Sequence, residues 1–143
     1  VALILFIGVA LLIDWKKALL YVVIPQQFAL FSVLIFNYIQ HVHADEESDY
    51  NHSRNFVSPT TNFLLFNNGF HTIHHYRASI HWSETPEAHK KIDHLIAPHL
   101  KERGIWPFSF KAYIIAPFNK TFRTKSMRLD RIAKEKNQEL TNV

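Results

Sequence analysis

The chain has 143 residues, enough for one domain or for a piece of a larger one. It has a net charge of +4, 10 histidines and no cysteine, which excludes disulfides, thiolate metal sites and cysteine nucleophiles. Any metal bound here therefore needs nitrogen or oxygen ligands.

The first predicted element is the apolar segment 1–13, VALILFIGVALLI. A helix needs about 20 apolar residues to cross a bilayer, so this segment is too short to span on its own. It also lacks the basic start and the small-residue cleavage site of a signal peptide. We interpret it as the end of a transmembrane helix and the chain as part of a longer protein.

The second apolar segment, 18–36, follows a short break at DWKK. As a helix it would be about 28 Å long, close to the thickness of the hydrocarbon core. A buried helical hairpin in a soluble protein is the alternative, but the chain has no other apolar element to cover two such helices. We therefore predict a membrane-spanning helix.

These patterns together predict an all-α protein with an integral membrane helical hairpin whose first helix is truncated. The membrane part covers 1–40, a mostly helical cytoplasmic cap covers 41–118, and a basic C-terminal tail covers 119–143. Thirteen of the 16 lysines and arginines lie from Arg77 onward, which favours a cytoplasmic cap and C-terminus.

Histidines and one asparagine then mark a candidate metal site. Asn37 and His41 lie one helical turn apart where the second apolar segment ends, although such a pair is also typical of a solvated or capped helix end. His71, His74 and His75 lie at positions i, i+3 and i+4, so a helix would place their rings on one face. Imidazole is a ligand for iron, zinc, copper and nickel.

Two motifs, NYIQH at 37–41 and NGFHTIHH at 68–75, resemble the C-terminal half of the membrane fatty acid desaturase family. The resemblance implies a non-haem centre of two iron ions, with dioxygen as co-substrate, that introduces a double bond into a fatty acyl chain. It also implies the ligands, with the asparagine binding through water: His41, His71, His74, His75 and Asn37.

The same resemblance implies the partners. The acyl chain would be linked to lipid, coenzyme A or a carrier protein, and electrons would come from a ferredoxin or from cytochrome b5. The family also has an H-x-x-x-H box and an earlier H-x-x-H-H box, whereas no histidine precedes Asn37 here. We therefore expect a fragment with about half of the ligand set.

Three alternatives stay open at this point. A related membrane hydroxylase or ketolase would act on alkanes, carotenoids or sterols, and a degenerate relative would not be catalytic. HVHADE at 41–46 also resembles the zinc motif of the metallo-β-lactamase superfamily, but it follows an apolar helix and ends in glutamate instead of histidine. We interpret His43 and Asp45 as supporting the ligands or as surface groups.

The remaining polar residues receive weaker predictions. His81 and Trp82 are expected either to face the substrate or support the ligands, or to pack as an aromatic beside a satisfied histidine. His52 and Arg54 are expected to be polar surface near the active face. A helix is predicted from Thr85 and Pro86 to Gly104. Its three histidines recur every five residues and should be solvated: His89, His94 and His99. Nucleic acid is not expected as a partner, because the positive charge is scattered and no binding motif is present.

Overall fold

The computed structural model describes residues 1–141 and divides into two compact units, Val1–Tyr38 and a second unit that begins at Ile39. The described residues are mostly helical, and their strands form a single two-stranded sheet. The predicted all-α class is therefore confirmed.

The N-terminal unit consists of α1 (Ala2–Ala18), a π-helical turn (Leu19–Val23) and the first part of α2 (Ile24–His41). Asp14 interrupts the helical backbone with φ −153° and ψ 94°. Its carboxylate accepts a hydrogen bond from the backbone N–H of Lys17 at 3.1 Å, as an N-cap residue does. The break falls within the predicted DWKK segment.

Pro25 explains the wide π-helical turn before it. Proline has no N–H to donate, and its ring crowds the carbonyl four residues earlier, which a locally widened turn relieves. The segment Ala2–His41 is long and apolar enough to cross a bilayer, and its most apolar stretch is not buried. These features are typical of a membrane-spanning segment.

The second unit packs around a short parallel pair of strands, β1 (Asn55–Phe56) and β2 (Lys101–Glu102). One apolar cluster lies beside β1 and joins Ile39 to Phe56 and Phe108. A second apolar cluster joins the loop after α2 to the segment before β2: Ala44, Ile96 and Leu100. The first cluster thus connects the end of α2, and the second the loop that follows it, to later parts of the chain.

Five further helices complete the unit: α3 (Pro59–Leu64), α4 (His71–Tyr76), α5 (Thr85–Ile92), α6 (Ile105–Ser109) and α7 (Met127–Thr141). Short 3₁₀ turns occur at Trp82–Glu84, Asp93–Leu95, Pro98–Leu100 and Lys120–Phe122, and a second π-helical turn occurs at Phe110–Ile115. Ser58 is the N-cap of α3, because its hydroxyl oxygen accepts a hydrogen bond from the Thr61 N–H at 3.2 Å.

The prediction of a helix from Thr85 to Gly104 was correct at its start and wrong at its C-terminal end. α5 stops at Ile92, and Ala97 is extended (φ −57°, ψ 134°) immediately before Pro98. A residue that precedes proline avoids the helical region because the proline ring would clash with it. The proline therefore breaks the segment before Gly104 is reached.

The expectation that all three histidines of this segment are solvated was also wrong. His94 and His99 are exposed, but His89 is only 4% exposed. Its ring packs on Phe70 with centroids 4.8 Å apart, and its Nε2 lies 3.3 Å from a carboxylate oxygen of Asp93. Burial lowers the pKa of His89, which keeps the ring neutral.

Most of the predicted basic tail, 119–143, is the helix α7. Residues 142 and 143 of that tail lie outside the described residues. Arg131 binds both carboxylate oxygens of the buried Asp45, at 2.7 Å and 3.1 Å. Arg128 pairs with Glu46 in the same loop. The helix is thus attached to the loop that follows α2.

Candidate metal centre

His41 is the last residue of α2, and Arg54 fixes the end of that helix. The guanidinium, 1% exposed, donates to the carbonyls of Ile39 at 3.2 Å and Val42 at 3.1 Å. Carbonyls at a helix C-terminus have no partner within the helix, so these hydrogen bonds replace the missing ones. Our interpretation of Arg54 as polar surface was therefore wrong: it is a buried anchor for the helix that carries His41.

The start of α4 is fixed by buried polar side chains. The Asn55 carboxamide oxygen accepts from the backbone N–H of Thr72 at 3.0 Å, and its nitrogen donates to the Thr72 hydroxyl at 2.7 Å. Ser53 lies 3.0 Å from the same hydroxyl. Because the first N–H groups of a helix lack internal acceptors, this network positions the histidines of α4.

Gly69 lets the chain approach β1 just before α4. Its carbonyl accepts from the Phe56 N–H at 2.8 Å. A Cβ atom on Gly69 would lie 2.4 Å from the Phe56 carbonyl oxygen and 2.5 Å from the Asn62 side chain. Only glycine fits this approach without moving the backbone, which accounts for the glycine of the NGFH motif.

Three imidazoles converge at this point of the structure. The nearest ligand atoms of His41, His71 and His75 all lie within 4.8 Å of one another. The Nε2 atom of His71 lies 3.0 Å from that of His41 and 3.1 Å from that of His75. Sequence spacing placed His71 and His75 on one helix face, and the fold brings His41 to them across 30 residues.

The opposite nitrogens of two rings are already bound to oxygen. His41 Nδ1 donates to the carbonyl of His52 at 3.0 Å, and His71 Nδ1 donates to the side-chain oxygen of Asn68 at 3.3 Å. Both acceptors can only accept, so each neutral ring keeps its proton on Nδ1 and has a lone pair on Nε2. The two facing Nε2 atoms are therefore both acceptors.

Burial favours the neutral form of two of these histidines, His71 and His75. Burial, followed by the proximity of His75, His41 and His74, lowers the pKa of His71 to about 3. Burial also lowers the pKa of His75, with a further contribution from His41. Metals bind the neutral form of imidazole, so His71 needs no deprotonation at neutral pH.

The residues fit a transition-metal ion. Two imidazole nitrogens bound at right angles, each about 2.1 Å from one ion, stand about 3.0 Å apart, close to the two observed separations. An ion between the lone pairs would also satisfy acceptors that face each other without a proton. The donor set suits iron, zinc or copper.

The other two predicted ligands, His74 and Asn37, are not among the three converging histidines. His74 is exposed on α4, and its ring stacks on that of His71 with centroids 5.5 Å apart. Asn37 is an exposed residue of α2 and belongs to the N-terminal unit. Their roles as ligands stay predictions.

His43 and Asp45 contact the C-terminal segment. The His43 ring is hydrogen-bonded to Thr124, and its carbonyl accepts from the Met127 N–H at 3.1 Å. The hydrogen bond from Arg131 lowers the pKa of Asp45 despite its burial. These contacts support α7, and a role toward the imidazoles stays a prediction.

Of the pair His81 and Trp82, only the tryptophan lines an apolar cavity of about 480 Å³. Trp82, half exposed, lines it, and His81 contacts the Trp82 ring at 5.4 Å. Phe70, the residue before His71, lines the same cavity together with several other apolar side chains: Val57, Phe63, Phe66 and Pro86. An apolar surface therefore begins one residue from the histidine cluster.

His52 is a second residue whose position in the structure was not predicted from the sequence. We expected polar surface, but its Nε2 atom is buried and has no hydrogen-bond partner among residues 1–141. Its ring lies 5.2 Å from that of His75, and burial lowers its pKa. The segment NHSR at 51–54 did contain an indication of this role, because it places another histidine in a chain already rich in candidate ligands.

A protein-family model matches most of this chain. The model of the family described as "Fatty acid desaturase" matches residues 1–106, which include all three converging histidines. Neither the search of curated proteins nor the search of solved structures found a match.

Proposed function

This chain belongs to the fatty acid desaturase family, and we propose that it contributes ligands to a centre of two non-haem iron ions that introduces a double bond into a fatty acyl chain. His41, His71 and His75 would bind one ion from the converging cluster. His74, and Asn37 through water, would complete what this sequence provides. Histidines outside this sequence would supply the rest of the centre.

One observation carries the proposal: the Nε2 lone pairs of His41 and His71 face each other at 3.0 Å. Two acceptors at that distance are unfavourable unless a cation or a proton lies between them, and burial lowers the pKa of His71 to about 3. A metal ion therefore accounts for the arrangement better than protonation does.

Bound iron would supply the activation of dioxygen that hydrogen removal from an unactivated methylene requires. The chain's own residues would hold and orient the ions, keep the imidazoles neutral and exclude water. Arg54 and Asn55 would act from a distance by fixing the helix ends that carry the ligands.

We propose that the fatty acyl chain lies along the apolar cavity lined by Phe70 and Trp82, next to the histidines. The linkage to lipid, coenzyme A or carrier protein is open. The segment 119–143 has seven lysines and arginines against three acidic residues, so we propose that it binds anionic membrane lipid or an acidic electron donor such as a ferredoxin or cytochrome b5 on the cytoplasmic side.

The test is to express the natural full-length protein in membranes, measure its iron content and analyse its fatty acids. We expect about two irons per protein and a new double bond, both lost in His71→Ala. A product with added oxygen in place of the double bond would assign the hydroxylase or ketolase reaction instead.

His94→Ala and His99→Ala are the controls, because both histidines are exposed and neither belongs to the converging cluster. They should keep iron and product. If His71→Ala also keeps both, the proposed function is wrong.

A further inference from the structure

We propose that His52 is a fourth imidazole of the metal centre, and that cation binding there depends on the lone pair of its Nε2 atom. The inference rests on the proposed function, because it adds a residue to the same centre. It concerns a histidine in the loop after α2, outside both motifs that indicate the family.

The tautomer of His52 follows from its hydrogen bond. Its Nδ1 atom lies 3.2 Å from the backbone carbonyl of Ser48. A carbonyl only accepts, so Nδ1 carries the proton and the Nε2 atom of the neutral ring has the lone pair. His41 and His71 have the same arrangement, with Nδ1 bound to oxygen and Nε2 left as an acceptor.

The Nε2 atom of His52 then lacks a donor. It is buried and has no hydrogen-bond partner within the described part of the chain. A buried polar atom without a partner destabilises a protein, so its presence calls for an explanation. A cation, or water bound to a cation, would supply the missing interaction.

His52 also lies at the cluster. Its ring meets that of His75 edge to face, with centroids 5.2 Å apart and an interplanar angle of 79°. Its backbone carbonyl accepts the Nδ1 proton of His41. One residue thus contacts two of the three converging histidines, once through its ring and once through its backbone.

His89 shows what a buried imidazole looks like elsewhere in the second unit. Neither of its ring nitrogens has a hydrogen-bond partner among residues 1–141, but its neighbours are Phe70 and Asp93. The ring is thus surrounded by an aromatic side chain and a carboxylate, not by the imidazoles of the cluster. His89 is therefore a matched control for the loss of a buried imidazole.

The experiment is a Co²⁺ titration of the purified full-length protein without iron, followed by absorption spectroscopy. His52→Ala should weaken Co²⁺ binding about 10–100-fold, the range measured when groups that support a metal site are removed. His52→Gln, which keeps a buried acceptor, should recover part of the affinity. His89→Ala should bind Co²⁺ like the unchanged protein.

X-ray absorption at the cobalt edge gives a second readout. One imidazole fewer in His52→Ala shows direct binding, and an unchanged count with weakened affinity shows binding through water; both support the inference. Unchanged affinity in His52→Ala, with circular dichroism confirming the fold, overturns it. If His71→Ala also binds Co²⁺ unchanged, the proposed function fails as well.

Discussion

The Nε2 atoms of His41 and His71 lie 3.0 Å apart although both rings give their Nδ1 protons to oxygen acceptors. The two lone pairs repel each other when both rings are neutral. A cation between them would convert that repulsion into attraction. The site would therefore be arranged for the proposed ion before that ion binds. Five measurements test this arrangement and the contacts that support it.

Metal binding should stabilise the second unit. A ligand that binds the folded state alone adds about 2.7 kcal/mol when its concentration is 100 times its Kd. We expect Co²⁺ to raise the melting temperature of the iron-free protein by several degrees and to leave His41→Ala unchanged. The measurement is thermal unfolding at several Co²⁺ concentrations, with His99→Ala as control. Equal shifts in both variants would contradict the assignment of His41.

Acid should destabilise the iron-free protein. The pKa of His71 is lowered to about 3 in the folded state, whereas an unfolded histidine has a pKa of about 6.5. The unfolded chain therefore binds more protons between these values, so stability is fully present above pH 7 and falls as pH decreases through 6.5 toward 3. Urea unfolding at several pH values measures the slope, which should be shallower in His71→Gln. An identical slope would contradict the lowered pKa.

Gly69→Ala should destabilise the protein by about 3 kcal/mol, near the upper end for overpacking. The new Cβ atom would meet the Phe56 carbonyl oxygen at 2.4 Å, and backbone must shift to admit it. The change should also weaken Co²⁺ binding, because His71 follows two residues later. Gly104→Ala is the control, since its nearest contacts would be ordinary ones at 3.5 Å. Equal stability of the two variants would refute the close approach.

Arg54→Met should lower the free energy of unfolding by about 2–4 kcal/mol, because two helix-end carbonyls lose a charged donor. The guanidinium also lies 4.2 Å from the centre of the Phe108 ring, which adds a cation–π contact. Chemical denaturation measures the change, and Arg103→Met, at an exposed residue, is the control. If both variants unfold alike, Arg54 does not anchor α2.

Asp45→Asn should release α7 from the loop after α2. The Arg131 guanidinium binds both oxygens of the buried Asp45 carboxylate, whereas an amide has a single acceptor oxygen and no negative charge. Hydrogen exchange should become faster at 127–141 and stay unchanged around the histidines. Glu46→Gln removes only an exposed partner of Arg128, so its effect should be small. Faster exchange in both variants alike would show that Asp45 has no special role.

Some features could be predicted from the sequence because they depend only on neighbouring residues in the chain. His71 and His75 occupy one face of α4 through helical spacing. The break at Asp14 was equally visible, because a short charged segment interrupts two apolar ones. Periodicity and composition determine such features within a few residues.

The missed residues depend on distant partners. Arg54 and His52 lie in a loop without periodicity, and their roles follow from contacts with α2 and α4 that no local pattern encodes. His89 was expected on the solvated face of a long helix, but α5 ends early and Phe70 covers the ring. Pro98 could have indicated that early end, since the residue before a proline leaves the helical region.

The proposed ion would join His41 to His71, which lie 30 residues apart, and would therefore act as a removable cross-link. Closing a loop of that length restricts the unfolded chain, in the way that a disulfide does, and this chain has no cysteine to form one. Its resistance to proteolysis would then follow the supply of metal, so the same ion that serves chemistry would set the lifetime of the protein.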